Sequence, residues 1–120
     1  MSRLQKLLKP QTTDHQELRV SLPPERTLAE CEEIADEFGW NRERDPADPR
    51  RLTIMEDFTR LTPEKSPVRI EVEVLPGKSS GESAVEVNSS VPGVGGVANN
   101  HLRDCVLAFV VVLGRRAKAA

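Results

Sequence analysis

His101 and Cys105 stand four positions apart, a spacing that on a helix brings an imidazole and a thiol onto one face, where both could ligate zinc. A structural zinc site takes four such ligands, and the other histidine, His15, falls in a polar stretch near the start of the chain, so no metal site is expected. Glu56 and Asp57 are adjacent. On a strand, adjacent side chains point to opposite faces, so these carboxylates do not form an acid/base pair. Cys31 would need a neighbouring base to become a nucleophile, and its helix neighbours are acidic, which raises a thiol pKa. No catalytic constellation emerges, so neither enzymatic activity nor a cofactor is expected.

Gly93-Val94-Gly95-Gly96-Val97-Ala98 fits the G-x-G-x-x-A pattern in which backbone N–H groups approach a pyrophosphate at a helix N-terminus. A dinucleotide site also needs an acidic residue on a following strand about 20 residues on, and no such strand is expected here. The segment reads as a tight strand-to-helix turn, with a simple anion site on Gly93, Gly95 and Gly96 as the alternative. Trp40, just after Gly39, reads as a cap on the edge of the core; a ligand or partner contact is the other possibility.

The elements that must position these residues are written in the hydropathy pattern. Val68-Arg-Ile-Glu-Val-Glu-Val74 alternates strictly between apolar and charged, which predicts a half-buried strand over Val68–Leu75. Similar readings give strands at Leu18–Leu22, Leu52–Phe58 and Glu82–Val91, the last two joined to their neighbour by loops such as the flexible Gly77–Gly81. Leu28, Cys31, Ile34, Ala35 and Phe38 recur at helical spacing. Thr27 and Glu30 read as a capping box before them, and Gly39 as the residue just past the end. Ala98, Leu102, Cys105, Phe109 and Val112 favour a second helix over 97–116, although the triple valine at 110–112 has a local preference for strand. The resulting order is β-α-β-β-β-α. It predicts an α+β fold, a four-stranded antiparallel sheet with two helices on one face. Residues 1–16 read as a flexible N-terminal arm with a short amphipathic turn from Arg3 to Lys9, 17–116 as a single α+β domain and 117–120 as a disordered tail.

Composition narrows the function classes. Three Phe, one Trp and no Tyr are too few for a base-stacking nucleic-acid reader, and a net charge of -2 argues against a surface that tracks phosphates. Charge is unevenly spread: +2 over 1–16, -6 over 17–57, -1 over 58–91 and +3 over 92–120. A solvated acidic helix face with basic ends is the plain reading, and complementary charge in a contact the sharper one. Leu4, Leu7 and Leu8 are interrupted by charges, so no secretory leader is expected. The apolar run from Cys105 is about half of the ~20 residues a membrane span needs. Cys31 and Cys105 fall at apolar positions, which predicts buried, unpaired thiols and a reduced, cytoplasmic setting.

Over roughly residues 50–116, the run of antiparallel strands, a turn and a long C-terminal helix resembles the helix-grip domains, START-like binders of hydrophobic ligands. The resemblance implies a helix laid across a sheet. The shorter element set here implies less room for a deep cavity, and no site residue carries over. The function expected is binding without catalysis. Self-association, as a homodimer, or a protein partner would use the apolar excess of the last helix at Leu107, Val110 and Val111. The runner-up is a hydrophobic, lipid-like small molecule between that helix and the sheet. An enzyme using an anion held at Gly93–Gly96 ranks third.

Overall fold

The computed structural model describes residues 10–57, 59, 61–63 and 65–119, with side chains through residue 117. Its elements are β1 (Gln11–Val20), α1 (Pro24–Glu37), β2 (Asn41–Arg44), β3 (Arg51–Met55), β4 (Arg69–Pro76), β5 (Ser83–Pro92) and α2 (Gly96–Ala119). All five strands form one antiparallel sheet in the order β1-β5-β4-β3-β2. The fold class is α+β, with both helices packed on one face, but the sheet has five strands rather than the four expected.

The added strand is β2, whose Asn-Arg-Glu-Arg sequence is exposed throughout and carries no apolar signal. Its two arginines tie it to α1. Arg42 reaches Glu32 at 2.8 Å and Asp36 at 2.9 Å, and Arg44 reaches Glu32 at 2.9 Å. Arg116 of α2 likewise meets Glu30 at 3.2 Å and also contacts Glu37. The acidic face of α1 is therefore paired within the chain, not merely solvated.

The first strand begins at Gln11, not Leu18. It pairs with β5 residue for residue, from Gln11↔Pro92 to Val20↔Ser83. Six of the sixteen residues of the expected flexible arm, 11–16, thus lie in an edge strand; Arg3–Lys9 lies outside the described residues. The last helix continues to Ala119, through most of the expected tail. The strand expected to reach Phe58 ends at Met55, and Phe58 lies outside the described residues.

The N-terminus of α1 also differs from expectation. The helix starts at Pro24, with Pro23 as N-cap and no side-chain cap. Proline suits a first-turn position because its missing N–H would have no helical acceptor there. Thr27 is instead fully buried. It donates its hydroxyl to Pro23 O at 3.0 Å beside Ser83, whose own hydroxyl donates to Leu22 O at 2.7 Å. At the other end Gly39 has φ +72. Its N–H donates to Asp36 O at 3.1 Å and the Trp40 N–H to Ala35 O at 2.8 Å, the double closure that stops a helix at a glycine.

Alternation builds the core as predicted. Ile70, Val72 and Val74 of β4 and Val85 and Val87 of β5 face the helices, while Arg69, Glu71 and Asn88 face out. Leu28, Cys31, Ile34 and Ala35 of α1 and Leu102, Cys105, Val106, Phe109, Leu113 and Ala117 of α2 complete the same buried cluster. By length and composition alone, Gly96–Ala117 would suffice to cross a bilayer. One face of that helix closes the core, which accounts for part of its apolar character; Val97, Leu107 and Val111 are exposed.

Candidate functional site

Two places combine polar chemistry with accessible space, and they flank α2 on opposite sides. The first is a groove of about 410 Å³ between β1 and α2. Along β1 the core-facing positions turn polar toward the strand's start. Leu18 lies opposite Val85, but Gln16 lies opposite Val87 and Asp14 opposite Ser89. Asp14 and Gln16 are linked at 3.1 Å and line one wall. Val106, Leu107 and Val110 of α2 line the other, with Asn99 and Arg103 toward its N-terminal end. Helical spacing makes this arrangement: 99, 103, 106, 107 and 110 form one stripe along the helix. Leu107 is 58% exposed and Val111 40%, whereas Val110 is half-buried against the core.

The second place is a buried cluster under the start of α2. Period-two alternation carries on from Leu52 and Ile54 to Glu56, just past the end of β3, and turns this carboxylate inward. Its backbone N–H donates to Val68 O at 3.0 Å, and Glu56 Oε1 accepts the Val68 N–H at 2.8 Å. The same oxygen lies 2.6 Å from His101 Nε2, and both side chains are about nine-tenths buried, at 9% and 10% exposure. Cys105, one turn further along α2, completes the group. The ligating atoms of Glu56, His101 and Cys105 all lie within 4.8 Å of one another. Burial, then the charge of Glu56 and a hydrogen bond to it, push the Cys105 thiol up to about 12, so it is protonated at neutral pH. His101 also lines a pocket of about 210 Å³ with Lys65, Ser66, Gly93, Val94 and Val97.

The sequence reading does not bring these three residues together. The helical pairing of His101 and Cys105 was legible; Glu56 was seen only beside Asp57. The signal that would have found it is that Glu56 continues the buried series of Leu52 and Ile54.

The other residues singled out from sequence fall elsewhere. Trp40 is half-buried at the end of α1. It stacks edge-on against Phe38, with centroids 4.8 Å apart, and packs on the core margin away from both places. Gly93 and Gly95 adopt φ +97 and +104, the left-handed backbone that makes the sharp entry to α2 and favours glycine. The Gly93 N–H already donates to Pro10 O at 2.8 Å, and Gly93 O accepts from the Thr12 hydroxyl at 2.8 Å. The turn is thus tied to the start of β1, with one of the N–H groups an anion would use already engaged. Gly96 opens the helix. Cys31 and Cys105 are both buried and unpaired. Burial, followed by the charges of Glu30 and Glu32, pushes the Cys31 thiol up to about 12. Broad depressions on the outer face of the sheet are lined by charged side chains that largely pair with one another, Arg51 with Glu73 and Arg69 with Glu71 among them.

No family model matches the chain, and no curated protein matches it. Solved structures do. The di-domain ARO/CYC BexL from the BE-7585A biosynthetic pathway superposes with a TM-score of 0.64 at 14% identity, over 87% of this chain and 45% of that one. The chain thus spans about half the length of BexL. Ara h 8.0201 matches with a TM-score of 0.55 at 9% identity, over 92% of this chain and 100% of that one. An uncharacterized protein from Bacillus thuringiensis matches with a TM-score of 0.54 at 12% identity, over 88% and 98%. At such identities the likeness is one of fold. A five-stranded antiparallel sheet, a long C-terminal helix packed on it and these structural neighbours give one answer: the chain has the helix-grip fold.

Proposed function

We propose that the domain binds a small molecule with an apolar body and one polar end in the groove between β1 and α2. The observation that carries this reading is the make-up of the groove. Val106, Leu107 and Val110 offer an apolar wall, and Arg103, Asp14 and Gln16 offer polar groups beside it, in a volume of about 410 Å³. The volume falls in the range of small-molecule sites, about 300–1,000 Å³, and the lining, three apolar residues beside five polar ones, is more polar than most such sites. The fold is shared with BexL, an ARO/CYC protein of a biosynthetic pathway, which supports a small-molecule role. Anilinonaphthalene sulfonate, an apolar fluorophore with one anionic end, is a suitable first probe. It should bind the folded chain with saturable fluorescence, and Leu107→Lys and Arg103→Ala should each weaken it at least tenfold. Equal binding to wild type and both variants would remove the groove from consideration.

A second reading is favoured by one observation: Leu107 and Val111 are exposed apolar residues one helical turn apart. A second copy of the chain seated on that face would cover them, and would compete with the groove for Leu107. Light scattering after size exclusion separates the two. A dimer that Val111→Lys converts to a folded monomer supports self-association, and a monomeric wild type excludes it.

A further inference from the structure

We infer that Glu56, His101 and Cys105 form a binding site for a divalent transition-metal ion of the zinc class. The residue types are the first argument. A carboxylate, an imidazole and a thiol are the three kinds of protein ligand that zinc takes, and here all three converge from two elements with their ligating atoms within 4.8 Å. His101 and Cys105 supply the i, i+4 pair on α2, and Glu56 faces them from the segment after β3.

Size is the second argument. Bonds of about 2.0–2.3 Å in a tetrahedron set neighbouring ligand atoms roughly 3.3–3.6 Å apart. The present Glu56–His101 separation of 2.6 Å is shorter than that, and the widest separation in the cluster is no more than 4.8 Å. The departures from that spacing are on the order of 1 Å. The third argument is charge. A dication held by one carboxylate, one thiolate and a neutral imidazole leaves no net charge in this nine-tenths buried site. The thiol proton leaves to solvent as the ion enters.

The surroundings suit an ion that keeps an exchangeable position. The Val68 N–H fixes Glu56 Oε1 at 2.8 Å, the type of outer contact that orients a ligating carboxylate. His101, though neither Glu56 nor Cys105, lines the pocket of about 210 Å³, so water or a small molecule can approach the cluster from the imidazole side. Three protein ligands and an open fourth position is the arrangement of zinc sites that do chemistry, as distinct from closed structural ones.

The site lies across α2 from the groove and does not depend on the ligand proposed there, so each can fail alone. The test is titration of the reduced chain with Co²⁺ and no organic ligand. One equivalent should produce the visible bands of a near-tetrahedral ion together with a near-ultraviolet sulfur-to-cobalt charge-transfer band. Cys105→Ser should abolish the charge-transfer band, and His101→Ala should weaken binding by more than about a hundredfold, beyond the 10–100-fold loss typical of outer-contact changes. Cys31→Ser, in a different part of the core, should leave the spectrum unchanged. If the Cys105 variant fails to fold, X-ray absorption of the zinc-loaded wild type decides the matter, with one sulfur at about 2.3 Å expected in the first shell. Absence of the charge-transfer band in wild type, its survival in folded Cys105→Ser, or a shell of nitrogen and oxygen alone would overturn the assignment.

Discussion

Phe109→Ala is the substitution that tests most directly how this helix grip is filled. Phe109 is fully buried, and among the described residues it is the one fully buried aromatic side chain, set among Ile70, Val72, Val74, Val85, Val87 and Leu113. Removing the ring forfeits the transfer free energy of a large apolar group, about 1.5–3 kcal/mol. A residual void on the order of 80 Å³ adds about 2 kcal/mol, at roughly 24 cal/mol per Å³. The sum falls in the range of about 3–5 kcal/mol usual for Phe→Ala in a core. For a 120-residue domain with a stability of roughly 0.05–0.15 kcal/mol per residue, that is a large part of the total.

Urea unfolding followed by circular dichroism should show the midpoint falling with the slope unchanged, since the surface exposed on unfolding hardly alters. Phe109→Leu should lose far less. An apolar void between helix and sheet should also accept a small aromatic molecule. Benzene at about ten times its dissociation constant would restore roughly 1.4 kcal/mol to the alanine variant and nothing to wild type. A loss below about 1 kcal/mol, or equal stabilisation of wild type by benzene, would refute the reasoning and reveal a space under α2 that Phe109 does not fill.

Three further outcomes are expected. Deleting residues 1–16 removes six of the ten β1 positions paired with β5; the melting temperature should fall by at least about 8 °C, and the uncovered β5 edge should promote aggregation on heating. In chemical denaturation Ile70→Ala should cost about 2–5 kcal/mol and Glu71→Ala less than about 0.5, because alternation buries the first and exposes the second; similar losses would mean that the outer face of the sheet is also covered. Cys31 links stability to alkaline pH: its pKa is raised from 9.0 to about 12 in the folded chain, so the folded state holds the proton longer than the unfolded state, and the stability tied to this group is complete below pH 9 and lost as pH rises toward 12. Between pH 9 and 10.5 wild type should lose stability faster than Cys31→Ala, by about 1 kcal/mol per pH unit, and parallel profiles would contradict burial of the thiol.

The parts of this fold that were legible in the sequence are those whose signal is local. The alternation at Val68–Val74 placed β4 within a residue of its position, and the Leu28–Phe38 spacing with Gly39 placed the body and end of α1. What escaped has its cause at a distance. The residues of β2 are a strand because Arg42 and Arg44 meet Glu32 and Asp36 of α1 while the backbone pairs with β3; nothing within Asn-Arg-Glu-Arg indicates it. The first half of β1 is polar, and β5 supplies its partner. Thr27 looked like a cap because capping and burial call for the same hydroxyl, and only the proximity of Ser83 decides between them. The candidate sites divide in the same way. Leu107 and Val110 were legible as an apolar excess, but the groove needed Asp14 and Gln16, which had been assigned to a flexible arm.

The two places are connected through the rotation of α2. Residues 101, 105 and 109 share one stripe, which meets Glu56 and the sheet valines; 99, 103, 106, 107 and 110 share another, which meets β1. A helix turns about 100° per residue, so a register shift of a single residue would carry His101 away from Glu56 and Leu107 away from the groove together. Phe109 and Leu113, fully buried beneath the helix, are what fix that rotation. In a grip whose middle is occupied by side chains, accessible space is left along the helix flanks. The polar residues gathered there, Asp14, Gln16 and Arg103 on one side and Glu56 and His101 on the other, are held in place by a core that takes no part in the chemistry.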